Sequence, residues 1–176
     1  MRMSKQPIRV LGIDPGLATT GYGVVEYKKP TTTCKEYGII STKVGTPLPQ
    51  RLLTIHTSIQ KLVETYAPDV VAIEQLFFAK NVKTAFAVGQ ARGVAILGLA
   101  ASHAQIVEYS PVRIKQIIVG YGKADKMQVQ KMVRIALNLK EIPKPDDAAD
   151  ALAAALCWIY SEGRTTKTYG NNAKRH

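Results

Sequence analysis

Acidic residues are scarce in this chain of 176 residues: 13 Asp and Glu stand against 24 Lys and Arg, a formal net charge of +11. The deficit points to a polyanionic partner. Cysteine is scarcer still. Cys34 and Cys157 stand alone and far apart, which excludes a disulfide framework and a cysteine zinc site and fits a reducing cytoplasm. His56, His103 and His176 show no ligand spacing. No signal-peptide h-region opens the chain, so secretion is not expected. The longest apolar stretch, Ala85–Ala101, is interrupted by Gln90 and Arg92 and is too short to span a bilayer, so no membrane attachment is expected. Gly120-Tyr121-Gly122-Lys123 lacks the length and the Ser or Thr of a phosphate-binding P-loop. What is abundant is apolar: a hydrophobic content of 46% excludes disorder throughout, and the length suits one domain with a proper core.

The basicity sits in two blocks. Residues 111–145 hold eight Lys or Arg against two acids, and residues 163–176 hold four against none. Clustering of this kind is the footprint of nucleic-acid binding, set against the plainer reading of a soluble basic surface.

Ile8–Ile13 is a β-branched and aliphatic run that ends on Asp14, and Pro15-Gly16 then forces a turn. Gly21–Tyr27 and Thr32–Ser41 read as a hairpin across Lys28-Lys29-Pro30, completing an antiparallel meander. Gln50–Tyr66 carries apolar residues at helical spacing. Val70–Glu74 repeats the opening pattern, a short apolar run ending in a carboxylate. With a helix between them, the two runs should pair in parallel and bring Asp14 and Glu74 to the same sheet edge. Phe77 and Phe78 follow where a loop should be polar; they either cap the core or stand exposed as a wedge. Lys83–Ser102 reads as a Gly- and Ala-rich helix, with Gly89 and Gly93 on one face for close packing on the sheet or another helix, or for a dimer seam. Gln105–Tyr109 is a fifth strand, Pro111–Val119 a short helix and Asp125–Leu139 an amphipathic one. The last helix opens at Asp146, read as its N-cap, with Asp147 and Asp150 sharing a face.

Asp14, Glu74, Asp147 and Asp150 therefore form a set. Four carboxylates gathered on a basic protein need a cation. Oxygen-only ligands select Mg²⁺ or Mn²⁺ over zinc, and two such ions suit in-line displacement at a phosphodiester.

Gly12-Ile-Asp14-Pro-Gly16, Thr20-Gly21-Tyr22-Gly23, Ala72-Ile-Glu74-Gln75, Gly89-Gln-Ala-Arg92-Gly93-Val, Val119-Gly120, Gln128-Val-Gln130 and Asp147-Ala-Ala-Asp150-Ala-Leu-Ala occur in an order that resembles the RuvC family of bacterial Holliday-junction resolvases. The resemblance covers residues 8–157. It implies an α/β, RNase H-like mixed five-stranded sheet with helices on both faces. It also implies a homodimer, Mg²⁺-dependent paired nicking of four-way junction DNA, and handover from the RuvA–RuvB branch-migration complex. The family's catalytic acids fall on Asp14, Glu74, Asp147 and Asp150; Asp146 lies outside the pattern. The aromatic that stacks on junction bases falls on Phe77, and the basic residues beside the site fall on Lys115 and Lys126. A nuclease domain over residues 1–160 and a basic tail over 161–176, disordered or folding on binding, are expected. Two rivals remain at this point. An actin-like ATPase would use Asp14 and the following glycines for phosphate, but needs two lobes. A binding-only junction protein would not need four intact acids.

Overall fold

The computed structural model describes residues 6–75, 82–100 and 102–163. Five strands form one sheet: β1 (Ile8–Asp14), β2 (Thr19–Lys28), β3 (Thr31–Ser41), β4 (Val70–Glu74) and β5 (Gln105–Tyr109). Their order is β3-β2-β1-β4-β5. β1, β2 and β3 pair antiparallel, as the meander reading requires, while β4 lies parallel to both β1 and β5. The sheet is thus mixed, with β1 at its centre.

The helices are α1 (Leu48–Tyr66), α2 (Val82–Leu99), α3 (Pro111–Val119), α4 (Lys126–Ala136) and α5 (Asp146–Trp158), the last running into a π-helical turn at Ile159–Gly163. Side chains alternate across a strand, and the alternation sorts two cores. Leu11, Ile13, Val71 and Ile73 pack with Ile55 and Ile59 of α1 and Ala91, Ala95 and Leu99 of α2. Val10, Val70 and Ala72 pack on the other face with α3, α4 and α5. Helices therefore cover both faces of the sheet.

α5 is the buried element. Every residue of it from Ala151 to its end at Trp158 is buried, and Trp158 is fully so. Alanine is the reason the helix can lie so close. At Gly12 an added Cβ would stand 1.9 Å from the Ala151 carbonyl oxygen, and at Gly21 1.9 Å from that of Asp147. The helix backbone rests on β1 and β2 where those strands carry no side chain.

Two readings change. Asp146 is not the N-cap of α5: Pro145 holds that position without a side-chain cap, and Asp146 is the first helical residue. Its carboxylate is drawn instead to α4. Gly89 and Gly93 serve no packing among the described residues, where a Cβ on either would meet nothing within 4 Å. Gly98 is the glycine of α2 that lies against α1, near Ile59 and His56.

Candidate active site

The alternation that sorts the cores also aims the acids. Ile13 pairs with Ile73, so the next residues, Asp14 and Glu74, leave their parallel strands at the same level. Each is two residues beyond a side chain or glycine facing α5, so both carboxylates face α5. Thr20 secures the turn after Asp14: its buried hydroxyl donates to the Gly16 carbonyl at 2.7 Å and accepts from the Gly16 N–H at 3.3 Å. From the other side α5 brings Asp147 and Asp150 on its first turns, where the positive end of the helix dipole favours carboxylates.

The electrostatics report the crowding. Burial, then the charges of Asp150 and Asp147, push the Asp14 carboxyl up to about 7, with Lys126 opposing. Burial, then Asp14 and Asp150, push Glu74 up to about 8, opposed by Lys126 and Lys115. Burial also raises Asp150, against the pull of the Lys126 ammonium. Asp14 and Glu74 therefore each sense two other carboxylates, and Asp147 acts on both Asp14 and Asp150. Among the described residues, however, no three acidic, histidine or cysteine side chains stand close enough together to hold an ion as they are.

Lys126 stands among these carboxylates. Its Nζ lies 3.0 Å from Asp150 Oδ2 and 3.3 Å from Asp146 Oδ2. Lys115 and Lys126 line a cavity of about 180 Å³ together with Glu74, Asp150, Pro111, Ile114, Val129 and Ala153. Two lysines of the basic block at 111–145 thus stand on the wall of this cavity, one from α3 and one from α4. Phe77 and Phe78 lie outside the described residues.

Sequence reasoning missed Gln130 and the seat of α5. Gln130 is buried, and its Nε2 donates to Asp146 Oδ1 at 3.0 Å. Its i,i+4 spacing from Lys126 was the available signal. Gln128, also part of the resemblance, is structural: it completes a capping box with Asp125 and fixes the start of α4 just before Lys126.

The model of the family described as crossover junction endodeoxyribonuclease RuvC matches residues 10–158. The chain belongs to the RuvC family. The crossover junction endodeoxyribonuclease RuvC of Caldanaerobacter subterraneus subsp. tengcongensis is 51% identical over 154 residues, covering 88% of this chain and 93% of the relative. The RuvC of Caldicellulosiruptor saccharolyticus is 53% identical over 155 residues, covering 88% and 93%. Among solved structures, Thermus thermophilus RuvC in complex with a Holliday junction substrate superposes with a TM-score of 0.83 at 34% identity, covering 87% of this chain and 93% of that one. The RNase H-like reading of the sheet agrees with this RuvC neighbour. No helix among the described residues is long and apolar enough to cross a membrane.

Proposed function

We infer that this chain is a structure-selective endonuclease that resolves four-way DNA junctions by paired nicks, as the names of its RuvC relatives imply. One observation carries the chemistry. Asp14 and Glu74 are pushed up to about 7 and about 8 by burial and by neighbouring acids, beside a cavity walled by lysines. Buried, mutually repelling carboxylates are stable as anions only with a cation among them. An all-oxygen donor set fits a hard divalent ion, so Asp14, Glu74, Asp147 and Asp150 are the residues that would hold Mg²⁺, or Mn²⁺ in its place, two ions per site. Such ions supply an activated water and stabilise the leaving oxygen of a phosphodiester.

The protein's own part is placement. Parallel pairing sets Asp14 beside Glu74, and the glycine seat holds α5 against them. Lys115 and Lys126, on the cavity wall, grip the phosphates that flank the scissile bond. Phe77 stacks on a junction base, the role the family resemblance gives it. Two matched nicks require two matched sites, which a C2 homodimer supplies. The face of α2 supports that assembly: Phe86 and Leu97 are 70% and 61% exposed, and Gly89 and Gly93 between them are open. Handover from a RuvA–RuvB complex, a cytoplasmic setting, a nuclease domain over 1–160 and a basic tail over 161–176 complete the reading.

The test is a synthetic four-way junction and a matched linear duplex, each incubated with the full chain and Mg²⁺ or EDTA. Symmetric paired nicks in the junction, with metal only, are expected. Equal cutting of the duplex would replace junction selectivity with general nuclease activity. Binding without cutting under any divalent ion would favour the binding-only reading.

A further inference from the structure

We propose that Lys126 is the resident counter-cation of Asp150, seated there by Asp146, and that a divalent ion gains Asp150 as a ligand only by displacing it. The proposal rests on the reading of the four carboxylates as a metal site.

The capping box of Asp125 and Gln128 fixes the first residue of α4, which is Lys126. Its Nζ then reaches two carboxylates of the first turns of α5, Asp150 Oδ2 at 3.0 Å and Asp146 Oδ2 at 3.3 Å. The two are not equivalent. The Asp146 side chain is 61% exposed and that of Asp150 only 23%. Asp146 is also held from behind by buried Gln130, one turn along α4 from Lys126. α4 thus grips Asp146 twice and uses it to keep a cation over Asp150. The ammonium occupies the oxygen that an incoming ion needs.

Displacement strands nothing. Lys126 keeps Asp146 as a partner and is half exposed, so its head is free to turn to a substrate phosphate. Metal entry and phosphate binding then favour each other, because each takes one end of the Lys126–Asp150 pair.

The test is Mn²⁺ uptake by the metal-stripped full chain without DNA, measured by titration calorimetry for wild type, Lys126→Gln, Lys126→Arg and Lys115→Gln. Lys126→Gln removes the competing cation and should tighten Mn²⁺ binding about tenfold. Lys126→Arg keeps the charge and should stay near wild type. Lys115→Gln removes an equal charge from the same cavity wall without freeing a carboxylate, and should change affinity by less than about threefold. Lys126 is half exposed, so these variants retain the fold, which thermal melting confirms. Equal effects of Lys126→Gln and Lys115→Gln would reduce the role to net charge and overturn the proposal, as would no tightening in Lys126→Gln. A wild type that takes up no Mn²⁺ would remove the metal-site reading itself and the proposal with it.

Discussion

One methyl group added at Gly12 should separate the candidate site's carboxylates without touching any of them. In Gly12→Ala the new Cβ would stand 1.9 Å from the Ala151 carbonyl oxygen and 3.0 Å from the Ala155 amide nitrogen. Both are helix backbone, with no side chain to swing aside. Real Cβ atoms essentially never approach closer than 3.0 Å, so α5 must lift from β1 by about 1 Å. Asp147 and Asp150 travel with the helix, while Asp14 stays on β1. Overpacking of this kind costs about 1–3 kcal/mol, and for a chain of this length each kcal/mol lowers Tm by roughly 2–4 °C. Misplacing reacting groups by about 1 Å costs roughly 100-fold in rate. Thermal melting and single-turnover junction cleavage measure the two effects. Gly23→Ala is the graded comparison: its Cβ would meet the Leu152 side chain at 2.6 Å, which can rotate, so its losses should be smaller. Wild-type melting and cleavage in Gly12→Ala would refute the claim that α5 is seated on bare strand backbone.

Other expectations follow from the same geometry. Asp14→Asn should abolish cleavage, keep junction binding, and raise the Tm of the metal-free protein at about pH 8, because it removes a buried, repelled charge; cleavage at the wild-type rate would remove Asp14 from the site. The folded values of Asp14 and Glu74, about 7 and about 8, lie above their ordinary values of 3.8 and 4.5, so the native state binds the extra protons in between. Metal-free stability should therefore fall as pH rises through that window, and Mg²⁺ should restore it at the upper end; a flat Tm profile from about pH 5 to 8 would contradict the crowding. Lys115→Ala should weaken junction binding and reduce the slope of log affinity against log salt by about 1; an unchanged slope would place Lys115 away from phosphate. Phe86→Glu on the open face of α2 should convert a dimer to monomer in sedimentation velocity; an unchanged dimer would put the interface elsewhere.

Much of this was legible in the residues because period-2 patterning is local. Ile8–Asp14 and Val70–Glu74 each announce a strand ending in a carboxylate, and a single helix between them dictates parallel pairing. The structure returns both features. What the sequence could not show depends on chain segments far apart meeting. Asp146 has the residue type and position of an N-cap, but α4 supplies Lys126 and Gln130 to its side chain, and Pro145 takes the cap. Gly12 and Gly21 belong to motifs that resemble the family, yet their physical role appears only when α5 lies across them. Gly89 and Gly93 have the spacing of a close approach, but no element among the described residues fills the space they leave.

Anomalous scattering from crystals soaked in Mn²⁺ tests the carboxylate site most directly. Density is expected between the β1–β4 edge and the first turns of α5, within coordination distance of Asp14 and of at least one of Glu74, Asp147 and Asp150, and lost in Asp14→Asn. Mn²⁺ bound away from these four side chains, or retained unchanged in Asp14→Asn, would contradict it.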